Sequence, residues 1–150
     1  RKKIKSEDIQ YMKLSRKGHP EKQQTLVYLD FRWPYTKKGQ QKYIVRKAWQ
    51  VVESVGDHLL ITATGHSFSL AKDGSLVVTY SRDEGIKYRL QRHGDEGPIY
   101  FANSNYGKSS MRKAWQKYLA DDSVLCQKIA NKEIAPFNFK EIAEQYNPKK

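Results

Sequence analysis

The hydrophobic and polar positions of this chain change period along its length. In residues 6–18 the apolar Ile9 and Met12 stand at helical spacing between marked ends. Ser6 is a good N-cap, Glu7 and Asp8 put negative charge in the first turn, and Arg16 and Lys17 put positive charge in the last. Gly18 offers a terminator and Pro20 forbids continuation, so the segment predicts a short N-terminal helix. Residues 24–33 then alternate. Thr25, Val27, Leu29, Phe31 and Trp33 share an inward face, and Leu26, Tyr28, Asp30 and Arg32 the other, which predicts a strand. Pro34 is expected to end it, with Lys37-Lys38-Gly39 as a turn. Residues 41–55 fit two patterns. Val45, Ala48, Trp49 and Val52 make one helical face, whereas Tyr43, Val45, Trp49 and Val51 fit a strand that Lys47 interrupts. The β-branched residues favour strand; the length favours helix, and helix is the expectation.

From His58 the period is two. Residues 59–64 are an apolar run ending at Gly65. Segments 67–71 and 75–81 flank Lys72-Asp73-Gly74, where Asp-Gly supplies the positive φ of a tight hairpin. Asp83-Glu84-Gly85 makes the next turn. Ile86, Tyr88 and Leu90 alternate with Lys87, Arg89 and Gln91, so that strand is expected to have one wet face. Residues 93–98 form a third turn before a short strand at 99–102. Neighbours in sequence then pair in space, as a meander.

The last third is helical. Met111, Ala114, Trp115, Tyr118 and Leu119 recur at helical spacing behind Ser109 or Ser110 as N-cap. Asp121 or Asp122 caps a second helix with Leu125, Cys126 and Ile129; Asn138 caps a third with Phe139, Ile142, Ala143 and Tyr146. Strands grouped together and then helices predict one α+β domain over residues 1–150, an antiparallel meander covered by C-terminal helices. The basic ends, 1–5 and 148–150, are expected to be disordered. The expected core is Leu59, Ile61, Leu76, Val78, Tyr88, Leu90, Trp115, Leu119, Ile129 and Ile142.

Composition adds limits. A chain of 150 residues buries a core without staples, and 12% aromatic residues exceed what a disordered tail carries. No apolar run approaches the ~20 residues of a membrane span. Cys126 is the only cysteine, so no intrachain disulfide forms, and it reads as a small buried apolar residue. Charge is lopsided. Of a net +12, residues 1–47 hold 14 basic and 4 acidic residues, and the remainder is nearly balanced. Such a field favours an anionic partner or surface.

Four chemistries have candidate residues on that background. Residues 102–109 end in Gly107, Lys108 and Ser109 and fit a loosened nucleotide-binding phosphate loop. The antiparallel context and the absence of a following apolar strand ending in Asp count against it. The four histidines, His19, His58, His66 and His93, show no metal-ligand spacing, and neither a metal nor a cofactor is expected. A small basic nuclease would use His93, Asp95 and Glu96 for acid–base work, with Arg89 or Arg92 stabilising a pentacoordinate phosphate. An anion-binding surface would use Lys37, Lys38, Lys42, Arg46 and Lys47. Trp33, Tyr35 and Tyr43 lie close enough in sequence to stack on unpaired bases if the partner is nucleic acid. The pentapeptide Arg-Lys-Ala-Trp-Gln at 46–50 and 112–116 has unlike flanks and reads as coincidence.

Residues 99–147 run Ile99-Tyr100-Phe101, Gly107-Lys108, a helix to Tyr118-Leu119, Ala120-Asp121-Asp122, Leu125, Lys128-Ile129, Asn131-Lys132-Glu133, Phe139, Glu141-Ile142 and Tyr146-Asn147. This third of the chain resembles the tail of small uncharacterised envelope proteins of Gram-negative gut bacteria. The resemblance implies a leader removed ahead of Arg1 and residence in the periplasm or at the cell surface; nucleic-acid binding would instead imply the cytoplasm. The resulting expectation is a non-enzymatic envelope protein that binds an anionic ligand, polymer or surface through its basic first third. A nucleic-acid-binding module and the small nuclease are the alternatives.

Overall fold

The computed structural model describes residues 10–148. Eight strands precede three helices: β1 Tyr11–Arg16, β2 His19–Lys37, β3 Gln40–Val55, β4 Leu59–Thr64, β5 Ser67–Leu70, β6 Leu76–Thr79, β7 Lys87–Arg92, β8 Ile99–Asn103, α1 Lys108–Tyr118, α2 Ser123–Ala130 and α3 Phe139–Gln145. The six-stranded sheet has the order β1-β2-β3-β4-β7-β8, with each neighbouring pair antiparallel. β2 meets β8 again through one parallel bridge, Arg32 opposite Ile99, where Arg32 N–H donates to the Pro98 carbonyl at 2.9 Å. Strands β2, β3, β4, β7 and β8 therefore close into a ring. The α+β class, the antiparallel sheet and the C-terminal helices match the sequence pattern; the expected meander is interrupted, because β4 pairs with β7 and the β5–β6 hairpin between them forms its own sheet.

Two expected helices are strands. Residues 11–16 pair with β2, Tyr11 opposite Val27 and Leu14 opposite Gln24, and Gly18 takes φ 92 in a hairpin turn instead of ending a helix. Met12 and Leu14 are half-buried between exposed Tyr11 and Lys13, a period of two. A three-turn helix is marginal alone, and a long neighbouring strand outcompetes it. The expected N-cap Ser6, with Glu7 and Asp8, and basic residues 1–5 lie outside the described residues, as do 149 and 150. Residues 41–55 fall in β3, which pairs with β2 from Lys37 opposite Gln40 to Leu26 opposite Val51. Lys38 (φ 51) and Gly39 (φ 75) make the two-residue turn whose twist suits such a hairpin, and the β-branched Ile44, Val45, Val51 and Val52 settle the rest. Pro34 does not end the strand. It stands opposite Tyr43 where β3 is the only strand pairing with β2 among the described residues, so its missing N–H removes no bond from an outer ladder.

The core lies between one face of the sheet and the helices. Leu59, Ile61, Tyr88 and Leu90 pack with Trp115, Leu119, Ile129 and Ile142, all expected, and with Ile99, Phe101, Met111, Leu125, Ile134 and Tyr146. Trp115 is fully buried, lies 4.5 Å from the Phe101 ring with the two planes tilted at 43°, and donates its Nε1–H to the Pro136 carbonyl at 2.7 Å. Leu76 and Val78 are only half-buried, because β5 and β6 pair only with each other in a separate hairpin. The caps Asp122 and Asn138 are as expected, each accepting from a backbone N–H three residues on. For α1 the N-cap is Gly107, without a side-chain bond, rather than Ser109 or Ser110. Cys126 is half-buried, with its thiol toward the Leu119 carbonyl. Among the described residues no helix is long and apolar enough to cross a membrane.

Candidate anion-binding cleft

The face of the ring turned away from the helices is polar and aromatic. Alternation places Phe31, Trp33 and Tyr35 on one face of β2, and the register sets Arg46, Ile44 and Lys42 of β3 opposite them in turn. β7 contributes Lys87 and Arg89, opposite Thr64 and Thr62 of β4. Together Phe31, Trp33, Tyr35, Ile44, Arg46, Lys87 and Arg89 line a cavity of about 400 Å³ containing three cations and no carboxylate. A smaller cavity of about 190 Å³ shares Phe31, Lys87 and Arg89 and runs on past Thr64 to His66, Tyr80 and Glu84.

Arg89 is the floor of both. It is only 3% exposed, and its guanidinium lies 3.9 Å from the centre of the Phe31 ring. One Nη1 proton goes to the Thr64 hydroxyl, while Nε is buried without a hydrogen-bond partner. Arg32 and Arg112 also bury an unpartnered Nε, but their side chains reach solvent. Burial pulls the pKa of Arg89 down to about 10, since a charge removed from water without a counter-charge is disfavoured. Around it the polar groups are matched: Thr62 donates to Gln50 at 2.6 Å, and Gln50 to the Leu29 carbonyl at 3.3 Å. Lys87 lies 5.2 Å from the Trp33 ring centre and 3.2 Å from Glu84, whose other neighbour is His66 at 3.9 Å. Trp33 stacks on Tyr100 at 4.8 Å. Burial pushes the Tyr100 hydroxyl up to about 12, and that hydroxyl accepts from Asn103 at 3.1 Å.

The pleat divides the five basic residues marked in the sequence. Arg46 lines the cleft, and Lys42 and Lys37 continue the same face outward. Lys38 sits in the turn, and Lys47 lies on the opposite face, 5.4 Å from the Tyr28 ring centre. The nuclease residues do not converge on Arg89. Asp95 is held by Arg92, accepting from its backbone N–H at 2.9 Å and its Nε at 3.3 Å; His93 faces His58 edge-on at 6.5 Å, and Glu96 is exposed. Gly107, Lys108 and Ser109 are exposed at the start of α1. Among the described residues no strand follows α1, so the parallel unit a phosphate loop requires does not form around it.

The sequence reading missed how Lys87 and Arg89 lie. They belong to the face of β7 expected to be wet, yet Arg89 points into the ring interior. Tyr35 continues the Phe31–Trp33 alternation past Pro34, a signal the sequence carries because proline at this position does not end the strand. Compared with protein-family models, with curated protein sequences and with solved structures, the chain matches none.

Proposed function

We propose that this chain is a non-enzymatic binding protein whose ligand is an anion held between the β2–β3 ribbon and β7. The observation that carries this reading is Arg89: a buried guanidinium, with no carboxylate beside it among the described residues, at the base of a cavity that also presents Arg46 and Lys87. A buried cation without a counter-ion costs stability, and an anion that enters offsets that cost. The charged groups of the larger cavity are donors that hold their protons at neutral pH, which suits holding an anion rather than shuttling protons. The envelope setting implied by the C-terminal resemblance belongs to the same proposal, and an export-reporter fusion to the full-length natural gene product tests it.

The binding test is a thermal melt with titrated polyanions. At a hundredfold excess over Kd a ligand specific for the folded state adds about 2.7 kcal/mol. Wild type is expected to melt higher as phosphate, polyphosphate or an anionic oligomer is added, and Arg46→Gln to respond less. A melting temperature indifferent to every polyanion removes the proposal.

A further inference from the structure

We infer that the ligand of this cleft is single-stranded nucleic acid, with bases against Trp33 and Tyr35 of β2 and phosphates against Arg46, Lys87 and Arg89. This rests on the anion-binding reading and names its ligand. Three observations carry it.

The first is the order of chemistry along the cleft. Phe31, Trp33 and Tyr35 are about 6.8 Å apart, two strand steps each. Facing them across the register are Arg46, Ile44 and Lys42, so a row of rings on one strand runs beside a row dominated by cations on the next. Rings for unpaired bases and cations for the backbone are the two components of sequence-tolerant single-strand binding.

The second is what the lining lacks. Arg and Lys only donate hydrogen bonds, and among the side chains of the larger cavity only the Tyr35 hydroxyl accepts one. A sugar polymer brings many hydroxyl protons that need acceptors. A nucleic-acid strand brings phosphate acceptors and the flat π faces of its bases, which is what this lining matches.

The third is shape. The cleft does not close at Tyr35, which is 37% exposed with Ile44 44% exposed beside it; the same face continues to Lys42 and Lys37 along a ribbon that meets no third strand there among the described residues. An open-ended track suits a polymer. Trp33 lies inside a concavity, where the hidden base faces of a stiff duplex do not reach.

The test is fluorescence anisotropy of a labelled oligothymidylate, with a duplex of the same length, a sulfated glycan fragment and inorganic phosphate as competitors. Wild type is expected to bind the single strand, with log affinity falling against log salt at a slope of about −2 for three cations. Tyr35→Ala is expected to weaken binding about tenfold and Tyr35→Phe to preserve it, because stacking needs the ring and not the hydroxyl. Arg46→Gln is expected to weaken binding and make the salt slope shallower by about 0.7. Lys47→Gln, on the opposite face, is expected to leave binding unchanged. Tyr35 and Lys47 are both exposed, and an unchanged circular dichroism spectrum establishes that each variant folds. Equal affinity for the duplex, or indifference to Tyr35→Ala, overturns the inference. Capture of the glycan but not the oligothymidylate overturns it while leaving the anion-binding proposal standing; binding of no anion overturns both.

Discussion

Arg89 brings a charge to a place where, among the described residues, it is met by the Phe31 ring and one threonine hydroxyl and by no counter-charge. Its lowered pKa means that at neutral pH the protonated side chain is more comfortable in the unfolded chain, so the native state carries a standing cost. Replacing such a charge with an apolar side chain of similar length is expected to stabilise. Arg89→Met keeps the stem on Phe31 and should raise the unfolding free energy by about 1 kcal/mol. The same variant should lose the polyanion-dependent rise in melting temperature. Urea unfolding with and without polyphosphate checks both; a less stable variant that still responds to polyphosphate would make Arg89 a structural residue. Gly56 has the opposite character. A Cβ there would lie 1.9 Å from the Ala143 carbonyl oxygen, so the β3–β4 turn rests directly on α3. Gly56→Ala is expected to cost about 2 kcal/mol in the same assay, because backbone, not a pliable side-chain tip, must yield.

At the scale of elements, two small locks hold what the main core does not cover. The β5–β6 hairpin is anchored to the β1–β2 hairpin. Arg16 donates to the Ala71 carbonyl at 2.9 Å, Lys22 pairs with Asp73 at 3.1 Å, and Gly74 lies against His19. Asp73 also accepts from the Ser75 hydroxyl at 2.6 Å and its backbone N–H at 3.1 Å, and these bonds hold the carboxyl far below the usual carboxylate range. A depressed carboxylate contributes stability above its unfolded pKa, near 3.8, and loses it as pH falls. Between about pH 5 and pH 2 the protection factors of the Ala71 and Gly74 amides should therefore fall more than that of Leu90 in the core, as read by hydrogen exchange. The second lock joins the Asp-rich break to the closing Tyr-Asn pair. Tyr146 donates to Asp121 at 2.8 Å, the Asn147 N–H donates to Asp122 at 2.9 Å, and Asp122 also caps α2 through Leu125 at 3.0 Å. Tyr146→Phe removes one charged hydrogen bond and is expected to cost about 1.5 kcal/mol in urea unfolding. These caps were legible because Asp and Asn before an apolar helical run have one strong local reading. Residues 11–16 and 41–55 were not: the first is short with few apolar positions, the second carries apolar residues that fit both periods, and the conformation of each depends on which strand pairs with it.

The whole molecule separates its chemistry by face, and that separation decides how much could be read in advance. Eight of the ten expected core residues are buried because strand and helix periodicities each point one face at the same interior. The cleft is made on the other face, where residues from β2, β3 and β7 meet only through a register that no local pattern encodes; Arg46 was visible as a basic residue, but its juxtaposition with Arg89 was not. The aromatic content, visible in the composition, becomes a property of the fold as a whole. Burial raises the pKa of Tyr88, Tyr118 and Tyr146, helped by Glu53 beside Tyr88, by Tyr43 and Tyr106 beside Tyr118 and by Asp121 beside Tyr146, and burial takes Tyr100 to about 12. A tyrosine with a raised native pKa contributes stability below its ordinary value of 10.0 that is lost as pH climbs through the native value. Arg89 works with the opposite sign, gaining native stability as pH rises above about 10, but it is one group against four. Net stability should therefore fall steeply above about pH 10. Tracked together by absorbance at 295 nm and by circular dichroism, these four phenols are expected to ionise in the same cooperative step that dissolves the sheet. Smooth ionisation up to about pH 12 with the dichroism intact would mean that water already reaches them in the native state.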